Sequence, residues 1–238
     1  MSNKDATHNA IELSPTHEIL IGQRPTQDSV ALAFAQLYAG TYLYAYPTGW
    51  LKWTGKVWQT DVRGDIREDI RSLTRRHNRA GLSSIAASGF IDGVVRLLQF
   101  DRNMKMPASE FDADAHLLNC LDGIWHLGTG ERYDHSPDFK ITRITPLSVG
   151  HNEPAVFLKF LDEITNGDKE LQAFFQIMLG SLLTGAQEIH KIFYWYGATS
   201  RNGKSTLAEL LRYILGDYAT TFPSAALTKG ETKSNDFV

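Results

Sequence analysis

The chain has 238 residues and a mass of 26.7 kDa, with 42% hydrophobic and 21% charged residues. This excludes a disordered tail, a collagen repeat or a coiled coil and leaves room for one large domain or two small ones. Lys and Arg number 24 against 27 Asp and Glu, a formal net charge of −3, so any contact with a polyanion must come from a local patch. The single cysteine, Cys120, can form neither an internal disulfide nor a multi-cysteine zinc site. With no stretch of the roughly eighteen apolar residues of a membrane span, and no basic-then-apolar leader in Met1–Val30, a cytosolic setting without a membrane partner is expected.

Residues 1–25 mix Asn, Thr, His, Ser and Pro around one short apolar patch, Ile19–Ile21, and read as a flexible arm. Thr26 is placed to cap a helix whose apolar positions Val30, Ala33, Phe34 and Leu37 recur every three or four residues, with Gly40 as its stop. From Tyr42 to Thr60 the residues turn aromatic and β-branched, with turn signals at Pro47-Thr48-Gly49 and Thr54-Gly55. This predicts an antiparallel meander whose Trp50, Trp53 and Trp58 form a core. Helices are predicted over Val62–His77 and Gly89–Gln99. Leu117–Cys120 and Ile124–Leu127 flank an Asp122-Gly123 hairpin turn, Gly128-Thr129-Gly130 turns the chain again toward Tyr133, and a short strand is expected around Lys140–Ile144. Two more helices follow, Pro154–Ile164 and Lys169–Leu183, the second opened by Asp168.

Lys191–Tyr196 then reads as an apolar, aromatic strand, followed by a loop ending in Gly203-Lys204-Ser205 and an amphipathic helix from Leu207 to Leu215. Strand, glycine-containing loop and helix in that order make a P-loop. Its chemistry asks for these residue types: loop and helix N–H groups surround phosphate oxygens, Lys204 neutralises the β- and γ-phosphates, and the Ser205 hydroxyl ligates Mg²⁺. Gly203 lets the backbone approach. Five residues rather than four separate Gly197 from Gly203, so Ala198 occupies the strict register. The expected nucleotide-binding set is Gly197, Ala198, Asn202, Gly203, Lys204, Ser205 and Thr206, with ATP and Mg²⁺ as cofactors.

Other constellations are weaker. Arg63, Arg67, Arg71, Arg75 and Arg79 recur every four residues, and with Arg76 they outnumber Asp65, Glu68 and Asp69 by three. At about 100° per residue they lie beside an apolar face of Val62, Ile66, Ile70 and Leu73. Such a stripe can follow a phosphate backbone, although a plain solvated helix face is its commoner cause. Asp112 and Asp114 form an Asp-x-Asp pair of the kind that can hold catalytic Mg²⁺, but a place just before a hairpin is the simpler reading. His116, Cys120 and His126 fit no common zinc spacing and read as packing and hairpin residues.

The segment Gly197–Thr206, with Asn202 directly before Gly203-Lys204-Ser205, resembles the Walker A loop of superfamily 3 helicases, in the branch of phage and plasmid primase-helicases related to the poxvirus primase-helicase. The resemblance continues upstream. Trp50, Trp53-Thr54-Gly55, Trp58, Asp122-Gly123-Ile124-Trp125-His126-Leu127, Phe160-Leu161-Asp162-Glu163-Ile164 and Leu179–Gly185 are similar to that family's helicase-preceding domain.

It implies an α+β N-terminal domain over residues 26–150, linking helices over 151–186, and the first strand, loop and helix of an α/β P-loop NTPase domain, incomplete over 187–238. It also implies ATP-driven DNA unwinding, on single-stranded or forked DNA, by a hexameric ring in a bacterial host cell. No Walker B strand, sensor or arginine finger is recognisable after Thr206, so the chain is expected to be the N-terminal portion of such a protein and not to hydrolyse ATP by itself. The alternative is a catalytically inert DNA-binding or replisome-adaptor fragment.

Overall fold

A computed structural model describes residues 24–78, 81, 83–186, 191–197 and 202–223. Residues 1–23 of the expected arm lie outside the described residues. The chain forms two compact units, one of the residues up to Phe111 with Pro137–Lys140, the other of Asp112–Ser136 with the residues from Ile141 onward.

In the first unit, helix α1 (Gln27–Leu37) begins at Thr26, whose hydroxyl accepts from the Ser29 N–H at 3.1 Å while Ser29 Oγ accepts from the Thr26 N–H at 3.0 Å. This reciprocal cap satisfies two of the donors that a helix start leaves unpaired. The meander follows as β1 (Tyr42–Tyr46), β2 (Gly49–Trp53) and β3 (Trp58–Thr60), each antiparallel to the next. Helix α2 (Asp65–His77) starts later than predicted, because both Asp61 carboxylate oxygens accept from its first N–H groups, those of Asp65 and Ile66, at 2.8 and 3.0 Å. Val62 and Arg63 therefore belong to a turn. After α3 (Ser88–Leu98), the short strand β4 (Lys105–Pro107) pairs parallel with β1, Tyr44 opposite Lys105, and completes the sheet order β3-β2-β1-β4.

Side chains alternate across a strand, so the sheet has two different faces. Tyr42 packs with Val30, Phe34, Ile70, Leu73, Val94 and Leu98 of the three helices. Leu43, Ala45, Leu51 and Trp58 pack on the opposite side with Phe111. The three tryptophans consequently do not share one core, which corrects the expectation. Trp50 lies half-buried on the helical side against Tyr44, ring centroids 5.2 Å apart. Trp53 and Trp58, a cross-strand pair with centroids 5.7 Å apart, lie on the other. An offset of three residues along a strand of period two sends Trp50 and Trp53 to opposite faces. Only Trp58 is fully buried, and its indole N–H donates to the Pro137 carbonyl at 2.9 Å.

In the second unit, β5 (Leu117–Cys120), β6 (Gly123–His126) and β7 (Arg132–Tyr133) form an antiparallel sheet with the expected Asp122-Gly123 turn. Gly123 has φ 147°, and a Cβ there would come within 2.6 Å of the Tyr133 carbonyl oxygen, so no larger residue fits. No strand forms over Lys140–Ile144. Arg143 and Thr145 are instead held by separate bonds, Asn119 Nδ2 to the Arg143 carbonyl at 3.0 Å and the Thr145 N–H to the Asn119 carbonyl at 2.9 Å. Helices α4 (Ala155–Ile164), α5 (Lys169–Ser181) and α6 (Lys204–Leu215) follow, α5 capped by Asp168 as predicted.

The predicted strand over Lys191–Tyr196 is not formed, because a strand exists only with a ladder partner and the described residues supply none. The segment packs through Phe193 and Trp195 on Phe174 and Phe175 of α5, at 6.1 and 6.3 Å between centroids. Among the described residues no helix is long and apolar enough to cross a membrane.

Two consequences can be measured. Trp58→Ala should cost about 3 to 5 kcal/mol in chemical denaturation, whereas Trp50→Ala and Trp53→Ala, each half-buried, should cost less. Just after α6, the Tyr218 hydroxyl accepts from the Asn119 N–H at 3.1 Å and donates to the Arg143 carbonyl at 3.3 Å; burial is the main cause that pushes its pKa from 10.0 to about 12. A tyrosine whose folded pKa is raised stabilises fully below its unfolded value and loses that contribution as pH climbs through the folded one. Melting temperature should therefore fall between pH 10 and about 12, less steeply in Tyr218→Phe.

Candidate functional site

Helix α6 is held at both ends within the second unit. At its C-terminal end, the Asp217 N–H donates to the Ile144 carbonyl at 3.3 Å, Asp217 Oδ2 accepts from the Ile144 N–H at 3.3 Å, and Tyr218 binds β5. At its N-terminal end, Gly203 has φ 78° and presses on α4, where a Cβ would meet Ile164 Cγ2 at 2.5 Å and the Phe160 ring at 3.1 Å. Both reasons require glycine: the left-handed backbone and the missing space. The α4–α5 turn is in turn fixed by Asp162, which takes Lys169 Nζ at 2.7 Å and Gln172 Nε2 at 2.9 Å. The lysine is the main cause that holds the Asp162 carboxyl below its ordinary range.

This places the predicted loop residues. Gly203 is the N-cap and brings no side chain of its own, so among the described residues no side chain caps the N–H groups of the first turn. Lys204 is the first helical residue, and its ammonium donates to Asn202 Oδ1 at 2.5 Å. Ser205 and Thr206 follow with exposed side chains. Gly197 lies close enough to the Asn202 amide that no Cβ could stand between them. The expected set thus comes together except for Ala198, which lies outside the described residues. Of these residues Gly197, Asn202 and Lys204 line a cleft of about 610 Å³, together with Phe174, Phe175, Trp195 and Tyr196. A ligand entering there would meet both aromatic rings and the Lys204 ammonium.

The basic helix belongs to the first unit and is more paired than its sequence implies. Arg67 forms an ion pair with Asp92 of α3, and Glu68 takes Arg71 at 3.2 Å and Arg75 at 4.0 Å. The other two acids counted against the stripe lie elsewhere: Asp65 pairs with Lys52 at 2.7 Å, and Asp69 is buried against Tyr42. Arg67, Arg71 and Arg75 remain exposed on the solvent side of α2, Arg63 is exposed in the turn before it, and Arg79 lies outside the described residues. Asp92, on a predicted helix, was visible in the sequence, but its pairing with Arg67 needed the packing of α2 on α3.

The remaining constellations serve the backbone. Asp112 accepts from the Thr142 N–H at 2.8 Å and from its hydroxyl, and Asp114 accepts from the His116 N–H at 2.9 Å. His126 Nδ1 accepts from the N–H groups of Gly128 and Thr129 at 3.2 and 3.1 Å, and its ring lies against His116. Cys120 is buried, and burial pushes its thiol pKa up.

No curated protein matches the chain in a comparison of sequences. Residues 31–166, more than half of the chain, match the family described as D5 N terminal like, and this span contains the four-stranded sheet, the β5–β7 sheet and α4. The α+β domain that carries these elements is one found in primase-helicase-type proteins of replication, and the chain belongs to the D5 N terminal like family.

Proposed function

We propose that the protein works in an ATP-dependent superfamily 3 DNA helicase of the primase-helicase type, in phage, prophage or plasmid replication. Gly197–Thr206 would receive the triphosphate, with Lys204 against its β- and γ-oxygens and Ser205 on Mg²⁺. The observation that carries this reading is Lys204 at the start of α6 on the cleft, its ammonium on Asn202 two residues back, with no side-chain cap on the helix among the described residues. Phosphate oxygens can replace the Asn202 amide as its acceptor, a stronger partner because both groups are charged. Arg63, Arg67, Arg71, Arg75 and Arg79 would follow the DNA backbone, and the assembled enzyme would be a hexameric ring. A second reading, a DNA-binding or replisome-adaptor module without turnover, draws support from Lys191–Tyr196, which has no ladder partner among the described residues.

Titration of the chain with ATP and Mg²⁺ tests the first reading. Binding should occur and should weaken about 10- to 150-fold in Lys204→Ala, the worth of a hydrogen bond to a charged group; no binding, or binding indifferent to Lys204, favours the adaptor. For the basic helix, changing Arg67, Arg71 and Arg75 together to Gln should weaken binding to DNA of any sequence and flatten its dependence on log salt by about 0.7 to 0.9 per lost contact. An unchanged slope would make the stripe a solvated face.

A further inference from the structure

In the first unit, on the sheet edge formed by β4, the Lys105 ammonium lies over two aromatic rings, 5.1 Å from the centroid of Tyr46 and 5.4 Å from that of Phe100. The rings are in water: Tyr46 is 59% and Phe100 75% exposed. We propose that Tyr46, Lys105 and Phe100 form a stacking site for the bases of single-stranded nucleic acid, with the neighbouring cations on its phosphates.

The three residues come from three places that the fold holds firmly. Tyr46 ends β1 and Lys105 opens β4, and these strands are paired in parallel. Phe100 lies between Leu98 and Met104, both fully buried. The turn that carries it is closed by the Lys105 N–H on the Asp101 carbonyl at 2.9 Å and by the Asn103 N–H on Asp101 Oδ1 at 2.8 Å. A large aromatic presented to solvent on a closed turn forgoes the roughly 1.5 to 3 kcal/mol that burial would supply.

Charge selects the occupant. Between Arg96 and Lys105 stand three cations, Arg96, Arg102 and Lys105, and one acid, Asp101, which already accepts from the Asn103 N–H. The three cations are exposed, and none makes an ion pair among the described residues. Exposed rings among unpaired cations are the features on which single strands bind with little regard to sequence, bases on ring faces and phosphates on cations. A folded protein partner would need on the order of 800 Å² on this side, far more than two rings offer.

The site takes its ligand class from the DNA-binding part of the proposed function and uses residues other than the arginines of α2 and the loop at Lys204. Fluorescence anisotropy with an oligothymidine strand and with a duplex, over a range of salt, tests it. Phe100→Leu keeps an apolar side chain and removes the π-face. It should weaken single-strand binding about 5- to 150-fold with the duplex unaffected, and Phe100→Trp should restore it. Lys105→Gln should lower the single-strand salt slope by about 0.7. The proposal is overturned if the unaltered chain does not bind the strand, if Phe100→Leu binds it as well as the unaltered chain does, or if strand and duplex weaken alike. Loss of DNA binding on changing Arg67, Arg71 and Arg75, with Phe100→Leu neutral, would assign the contact to α2 alone. ATP binding indifferent to Lys204 would sink the helicase reading and leave the Phe100 result standing.

Discussion

The hydroxyl of Tyr42 donates to Asp69 Oδ2 at 2.5 Å inside the helical layer of the first unit, where Tyr42 is fully buried and Asp69 nearly so. A buried carboxylate is costly unless bonded, and removing one partner leaves the other exposed to the full penalty. Burial, then the Asp69 bond, push the Tyr42 hydroxyl far above its ordinary pKa, so it stays protonated and remains a donor. The bond does more than join β1 to α2. Once Asp69 points inward with Ile66, Ile70 and Leu73, the rotation of α2 is settled. Arg67, Arg71 and Arg75 must then face water, because they lie on the other side of the same helix. The placement of the basic stripe thus follows from this buried polar contact together with the apolar residues beside it.

In the second unit the position of Lys204 depends on groups far from it in sequence. Asn119, Arg143 and Ile144 hold the end of α6, while Phe160 and Ile164 leave space for a glycine at its start and for nothing larger. Several of these residues lie within the stretch that matches the D5 N terminal like family. The family domain and the loop are therefore joined by hydrogen bonds and packing, as well as by the chain.

What was legible in the sequence was local. The Thr26 cap, the meander turns, the Asp122-Gly123 hairpin and the Asp168 cap each rest on contacts within a few residues, and each formed where expected. What was not legible was set by partners distant in sequence. Lys105-Met106-Pro107 has no strand signature and becomes a strand only because β1 offers it an edge. Lys191–Tyr196 has the signature and does not become one, since no strand among the described residues pairs with it. Proximity in sequence groups the three tryptophans, whereas parity along the strand decides which face each takes. The acids of its own helix do not decide the charge of the stripe, because Asp92, from the next helix, pairs with Arg67 and Asp69 turns inward. Among the loop residues, identity was readable from the motif and the Lys204–Asn202 contact is local, but the seat of Gly203 on α4 came only with tertiary packing.

The four residues Pro137–Lys140 belong with the first unit although the chain on either side of them belongs to the second. Pro137 receives the Trp58 indole N–H and packs on Gly40, and the Lys140 ammonium lies 5.9 Å from the Trp58 ring centroid. The wall over Trp58 is therefore absent from a nascent chain until the residues of β5, β6 and β7 have been synthesised. At about 5 to 20 residues per second, the first unit waits seconds on the ribosome with Trp58 uncovered. The chain also passes between the units three times, so a single proteolytic nick cannot release either of them intact.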